Sequence, residues 1–571
     1  MMLDGEGAQR RRTQRMPTNV EIARSVHPRP IIEVAATLGL EPEDLWPYGP
    51  DIAKVALSAL ERPRIGSAAP RLILVSAITP TSAGEGKTTT SIGLGDAFHQ
   101  LGESVCVALR EPSMGPCMGM KGGATGGGYS QVLPAERINL HFTGDFHAVT
   151  AAHNLLAALL DNHLYFGNSL RIDPRRILWR RVMDMNDRAL RNVIVGLGGV
   201  QQGVPRETGF DITAASEVMA MLCLAGGVED LRARLDRTLV AFTPDGEPIT
   251  AGQLSATGAM LALLRDALRP NLVQSLEATP VFVHGGPFAN IAHGCNSLVA
   301  TRMAMHLADW VITEAGFGFD LGAEKFFDIT CAGAGLDTAA VVLVATLRAL
   351  KMHGGVALAG LSTVDPNAIA RGLPNLEKHI ENITHFGERP VVALNRFTAD
   401  ADEEIAVVRQ RCVELGVPFA VADHHARGGA GAIELAHAVM AHAEQQSRPF
   451  RPLYSWDQPV PDKILAVAQK MYGARAVVLT KAAERDLQDV RRLGYERLPV
   501  CIAKTQSSLS DDPHLTGRPT GFDVTVRGIQ INAGAGFLVV LTGDILRMPG
   551  LPRTPLAESI DLRGDTIVGL Q

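Results

Sequence analysis

Ile73-Leu-Val-Ser-Ala-Ile78 runs directly into Thr79-Pro-Thr-Ser-Ala-Gly-Glu-Gly-Lys-Thr-Thr-Thr90. The first stretch is a short apolar run suited to a buried strand, and the second is a loop broken by glycine that ends in Gly-Lys-Thr where a helix can start. A polyphosphate needs several backbone N–H groups turned inward at close approach, together with a cation that follows its charge, and this order of residues provides both. Gly84 and Gly86 permit the approach, Lys87 reaches the terminal phosphates, and the Thr88 hydroxyl suits Mg²⁺. The spacing G-x-x-x-x-G-K-[ST] is met except that Thr81 stands at the first glycine position, so the loop is a variant. Thr81, Ser82, Ala83, Gly84, Glu85, Gly86, Lys87 and Thr88 are the expected ATP-binding residues.

Outward from this loop, short β-rich runs alternate with amphipathic segments. Ile73–Val75, Val105–Leu109, Val193–Leu197, Val281–Val283, Val311–Ile312, Val341–Ala345 and Val391–Leu394 each read as a buried strand of a parallel sheet. Segments such as Ser216–Leu224 and Leu254–Leu268 read as the helices between them. The expected class is α/β: a large parallel-sheet domain like that of a P-loop NTPase, a second α/β domain and a small C-terminal domain. A change of texture near Arg371, where Pro374–Asn382 reads as an exposed helix, and another near Gly521, followed by strands at Val524–Val526 and Phe537–Leu541, place the boundaries. The expected division is a flexible basic extension over 1–20, the nucleotide-binding P-loop domain over 21–370, a second α/β domain over 371–520, and a small C-terminal domain over 521–571.

Composition fits an ordinary large protein with a substantial core: 571 residues, 46% hydrophobic and 20% charged. A net charge of −6 gives no general attraction to nucleic acid or to an anionic membrane. Arg10-Arg11-Arg12 and Arg15 make the start basic, but no apolar signal core follows them. No apolar run approaches the ~20 residues of a membrane span. Seven dispersed cysteines without a C-x-x-C pair suggest reduced, mostly buried thiols and a cytoplasmic location.

In open parallel sheets ligands bind beyond the carboxyl ends of the strands, so the residues there carry the chemistry. Val105–Leu109 ends in Arg110-Glu111-Pro112-Ser113. A guanidinium there matches a carboxylate or an acyl phosphate, and the adjacent Glu can hold a cation; a surface ion pair between the two is the alternative. Because one helix separates this strand from the phosphate-loop strand, the two are expected to lie close together. The run 119–129 holds six glycines, which favours close approach to a ligand or to another chain over a plain linker. His141, Asp145 and His147 have ligand types without ligand spacing, which favours supporting polar roles. Gly196-Leu-Gly-Gly199 lacks the spacing of a dinucleotide fingerprint.

Taken together, Thr79-Pro-Thr-x-x-Gly-Glu-Gly-Lys-Thr-Thr, Arg110-Glu-Pro-Ser, Lys121-Gly-Gly-Ala-x-Gly-Gly-Gly-Tyr, Asn139-Leu-His-Phe-Thr-Gly-Asp-Phe-His, Gly285-Gly-Pro-Phe-Ala-Asn-Ile-Ala-His-Gly-Cys and Leu509-Ser-Asp-Asp-Pro resemble the formate tetrahydrofolate ligase family. The resemblance is colinear and covers nearly the whole chain beyond its basic start. It implies that formate, ATP and tetrahydrofolate yield 10-formyltetrahydrofolate, ADP and phosphate through formyl phosphate. It also implies a homotetramer activated by a monovalent cation, K⁺ or NH₄⁺, with no nucleic-acid or membrane partner, and a chain filled by this one activity.

On that resemblance Lys87 and Arg110 are catalytic, Thr88 meets Mg²⁺ through ATP, Glu111 lies at the monovalent cation, and Phe397 lines the folate site. The chain departs from the family where a Trp is usual, since Ala422-Asp-His-His-Ala426 places His425 there. Ala430 replaces a usual Glu, Ser507 a Tyr and Phe319 an Ala. The rival classes are a phosphate-loop switch ATPase, which needs no folate cleft, and a non-catalytic binding module, for which Lys87, Thr88 and Arg110 would be superfluous.

Overall fold

The computed structural model describes residues 17–64, 69–82, 84–120, 123, 125–288, 291–445, 449–543 and 545–570. Its centre is a 12-stranded sheet. The strands along its main path are β1 (Leu45–Pro47), β2 (Ala53–Val55), β3 (Arg71–Ala77), β4 (Val105–Leu109), β5 (Asn271–Ser275), β6 (Pro280–Val283), β7 (Trp310–Glu314), β8 (Ala340–Ala345), β9 (Pro390–Asn395) and β10 (Phe419–Ala422). In space they run β1-β2-β5-β6-β4-β7-β3-β8-β9-β10. From β6 to β10 every pairing is parallel, whereas β1, β2 and β5 form an antiparallel margin.

The parallel strands are buried throughout because helices cover both faces. Alternate side chains of β3 serve different cores: Leu72 and Leu74 pack with Val341, Leu343 and Val392, while Ile73, Val75 and Ala77 pack with Val107, Ile312 and Val342. That period of two explains why an unbroken apolar run in the sequence becomes a two-sided core layer. All seven cysteines are buried and unbridged.

Several sequence expectations change. The Arg110 strand does lie close to the phosphate-loop strand, but β7 stands between them and pairs with both. Chain order gave no hint of a later strand inserted there. Val193–Val195 is not a strand of the parallel sheet; it forms an antiparallel hairpin with Arg206–Thr208, and Ile194 is 62% exposed. Its β-forming composition made a ribbon without a core face. Of the expected basic extension, residues 1–16 lie outside the described residues. Thr18 already caps helix α1 (Asn19–Ser25) in a reciprocal box with Glu21.

The sheet does not end at the expected boundary near 370. Helix α2 (Pro366–His385) runs across it, and β9 and β10 continue the parallel sheet beyond it. The segment that reads as exposed is turned inward: Asn375, Lys378, His379 and Asn382 are buried. Their polarity serves interior bonds, such as Lys378 Nζ to the Lys470 carbonyl at 2.7 Å and Asn382 Nδ2 to the Met471 carbonyl at 2.9 Å. The expected cut near 520 fares similarly, since Ala476–Leu479 pairs with Asp523–Val526 and Val500–Ala503 with Phe537–Leu541. Sheets on the C-terminal side are thus built from strands on both sides of that position. Phe319, an anomaly in the sequence, is a core residue packed edge-on to Phe386.

Candidate active site

The phosphate loop follows β3 and leads into helix Lys87–Gln100. Gly84 and Gly86 take left-handed φ values of 75° and 77°, where a side chain would be strained. Gly86 is constrained twice, because a Cβ there would lie 2.4 Å from Asn395 Nδ2. Thr81, the residue at the usual glycine position, closes the loop: its N–H and its hydroxyl both donate to Glu85 Oε1, at 2.6 and 3.1 Å. Burial raises the Glu85 pKa against the pull of Lys87. Ser82 is exposed, and Ala83 lies outside the described residues.

The loop entrance is fixed from α2. Asn375 Oδ1 accepts from the Thr79 N–H at 3.3 Å and its Nδ2 donates to Thr79 Oγ1 at 3.0 Å. His353 Nε2 donates to the Thr79 carbonyl at 2.9 Å. Burial pushes His379, which meets the Thr79 hydroxyl at 3.0 Å, down to about 4, so its ring is neutral at pH 7.

Lys87 and Arg110 meet through a residue that the motif reading left out of the site. Glu314, the last residue of β7, accepts from Thr88 Oγ1 at 2.8 Å and places its other oxygen 3.7 Å from Arg110 Nε. Because β7 sits between β3 and β4, its carboxylate lies between the two strand ends that carry the loop and the arginine. Glutamate at the end of an apolar strand, in Thr313-Glu-Ala-Gly, was the available signal. Burial lowers the Lys87 pKa, and the Arg110 charge adds to the shift against Glu85 and Glu314. An arriving polyanion opposes that shift and favours the charged lysine.

Arg110 and Glu111 are not a surface ion pair. Arg110 turns to Glu314, and Glu111 is 4% exposed with Oε2 lacking any hydrogen-bond partner. Burial drives the Glu111 pKa well up, and Asp145 and Asp184 add to it against Lys54. Asp145, one of the residues of ligand type, is committed to Lys54 Nζ at 2.7 Å and to Asn271 Nδ2 at 2.8 Å. The turn after Glu111 is held by Asp184, which accepts from Ser113 Oγ at 2.5 Å and from the Met114 N–H at 2.9 Å.

Residues 17–571 match the protein family described as formate–tetrahydrofolate ligase. A formate–tetrahydrofolate ligase of Granulibacter bethesdensis (strain ATCC BAA-1260 / CGDNIH1) is 54% identical over 562 residues, spanning 98% of each chain. The chain belongs to the formate–tetrahydrofolate ligase family. Its activity is therefore the ATP-dependent ligation of formate to tetrahydrofolate, with ATP and tetrahydrofolate as substrates. Among the described residues no helix is long and apolar enough to cross a membrane.

Within this family's reaction the expected folate residues stand at adjacent strand ends. Asn395 and Ala422 are partners in the β9–β10 ladder; Phe397 follows the first by two residues and His425 the second by three. The Arg348 guanidinium lies 4.3 Å from the Phe397 ring centroid, over one face of that half-buried ring. His425 is exposed, and its carbonyl accepts from the Tyr129 N–H at 2.9 Å. The glycine-rich run makes room for it: a Cβ on Gly128, at φ 59°, would sit 2.0 Å from that carbonyl. For these glycines the close approach is to another part of the chain. Lys121, Gly122 and Ala124 of the same run, and Ala289 and Asn290 of the Gly285–Cys295 run, lie outside the described residues. Ala430 and Ser507 are both exposed.

Proposed function

We propose that the crevice at the ends of β3, β7 and β4 forms formyl phosphate and that the ends of β9 and β10 hold the folate that accepts the formyl group. The observation that carries this reading is Glu314, bonded to Thr88 of the phosphate loop and beside Arg110. It brings the place for a γ-phosphate and the place for a small carboxylate into one crevice.

Formate is a poor electrophile because its charge is delocalised over both oxygens. One of these oxygens attacks the γ-phosphorus, the bond to the β,γ-bridging oxygen breaks, and ADP leaves. Lys87 and the loop N–H groups stabilise the transferring phosphoryl group, and Arg110 orients the carboxylate in line with it. The secondary amine of tetrahydrofolate then attacks the formyl carbon. The tetrahedral oxyanion is held by Lys87 and Arg110, its bond to phosphate breaks as the carbonyl re-forms, and the departing phosphate takes the amine proton. Phe397 and His425 supply the stacking surface for the pterin.

Thr88 and Glu314 are the oxygen donors that would hold Mg²⁺, a hard cation suited to both. When bound it would neutralise phosphate charge. Glu111 fits a monovalent cation, since its buried Oε2 has no partner and its carboxyl is forced toward the neutral form in the absence of positive charge. The homotetramer belongs to the same proposal, supported by exposed apolar residues on the Val193–Thr208 hairpin, Ile194, Leu197 and Val200. A cytoplasmic location is supported by the seven unbridged buried thiols.

The test is formate-dependent ADP release together with formyl transfer in the wild type and in Arg110→Gln. The variant should keep nucleotide binding and lose formate dependence. ATP hydrolysis indifferent to formate and folate in the wild type would instead indicate a switch ATPase.

A further inference from the structure

We infer that Asn395 and His424 couple the nucleotide site to the folate site, so that occupancy of the phosphate loop sets the affinity for folate and the reverse. The inference rests on the proposed folate wall at Phe397 and His425 and names the residues that regulate it.

Each of the two strand ends carries a pair of residues with divided roles. At the end of β9, Asn395 donates from Nδ2 to the Glu85 carbonyl at 3.1 Å, inside the phosphate loop, and Phe397 follows two positions on. After β10, His424 meets Thr90 Oγ1 through Nε2 at 3.3 Å, and His425 is the next residue. Thr90 sits in the first turn of the helix that begins at Lys87.

The polarity of these bonds follows from donor counting. The single Thr90 hydrogen goes to the Gly86 carbonyl at 3.0 Å, so the hydroxyl oxygen can only accept from the imidazole. His424 is fully buried, which pushes its pKa down to about 3, and the neutral ring therefore carries its one proton on Nε2. Nδ1 is left without a partner. A fixed tautomer thus points from the folate side into the loop.

Packing leaves these contacts little slack. The carboxamide of Asn395 occupies the space a Gly86 Cβ would need, and a Cβ on Gly93 of the same helix would lie 2.5 Å from the His424 Cβ. Ser130 Oγ donates to the His424 carbonyl at 3.1 Å and ties the segment to the glycine-rich hairpin. A phosphate that fixes the backbone at Glu85 and Gly86 therefore also fixes Asn395 and Thr90, and through them the two strand ends that bear Phe397 and His425. The second ligand then meets strand ends that are already ordered, which gives positive coupling without any contact between the ligands.

The experiment measures ADP affinity with and without tetrahydrofolate, and tetrahydrofolate affinity with and without ADP, by calorimetry on the full chain without formate. In the wild type each ligand should tighten the other by the same factor, about fivefold or more. Asn395→Ala and His424→Leu should each bring that factor toward one, while His424→Gln, which keeps a donor near Nε2, should retain it. A wild-type factor of one, or an undiminished factor in both disruptive variants, overturns the inference. Phe397→Ala separates the two layers. Unchanged folate affinity there removes the folate wall and the inference with it, whereas weakened folate affinity alongside intact coupling in both Asn395→Ala and His424→Leu removes the inference alone. If Asn395→Ala does not fold, the His424 pair decides.

Discussion

The proposed nucleotide end and the proposed folate end of this ligase are built from different materials. At the nucleotide end the recognition is in the backbone: two left-handed glycines, a loop closed on Glu85 and a helix start, with Gly86 held both by its φ and by Asn395. At the proposed folate end it is in side-chain surface, where Phe397 has one face taken by Arg348 and an exposed His425 stands where the family resemblance leads one to expect a Trp. Backbone recognition fixes residue types tightly because only a few permit the geometry. Surface recognition asks for flat area, and several rings provide it.

That contrast is broken or sharpened by four measurements. Lys87→Ala should give the largest effect, a loss of formyl transfer of at least about 10²- to 10³-fold, as for removal of a fixed transition-state donor; near-wild-type transfer would detach the loop from the chemistry. Gly86→Ala comes next, combining φ 77° with a 2.4 Å approach to Asn395 Nδ2. A thermal melt should register a loss of about 1–3 kcal/mol from backbone strain, along with a raised KM for ATP and, through the displaced Asn395, a smaller rise in the KM for folate. A folate KM that does not move would show that the folate end is built independently of the loop.

His425→Trp tests the other end, and tetrahydrofolate should bind tighter by no more than about tenfold, the size of an aromatic packing gain. Affinity equal to or weaker than wild type would show that the folate wall is built elsewhere. The smallest effect concerns Glu111. Its raised pKa means that a proton competes with a cation for the carboxylate, so lowering the pH should increase the K⁺ or NH₄⁺ concentration needed for half-activation. Glu111→Gln should remove this pH dependence, and an activation constant flat with pH in the wild type would exclude Glu111 as the cation ligand.

The same contrast explains what could be read from the sequence. The phosphate loop, its strand and the Arg110-Glu111 strand end were legible because glycine spacing and an apolar run leave local traces. Glu314 was legible only as a carboxylate at a strand end; its role between Thr88 and Arg110 depends on β7 entering between β3 and β4, which is a fact of topology. Asn395 and His424 were missed for a similar reason: their partners, Glu85 and Thr90, are hundreds of residues away in the chain. The inward polar face of α2 misled in the opposite direction, because buried asparagine, lysine and histidine look like a solvated face until their interior acceptors are known. The textures near 370 and 520 do not coincide with an end of strand pairing, since the large sheet and the C-terminal sheets both draw strands from either side. Val193–Val195 had the composition of a core strand and no core to join.

The seven enclosed cysteines have a practical corollary. Burial raises the thiol pKa at Cys223 and Cys295, so neither the thiolate nor a path for a reagent is at hand while the chain is closed. They are distributed along the chain from Cys106 on a central strand to Cys501 near the C-terminal sheets. Site-resolved alkylation rates would therefore act as a set of clocks for local opening, each timing the release of its own part of the molecule.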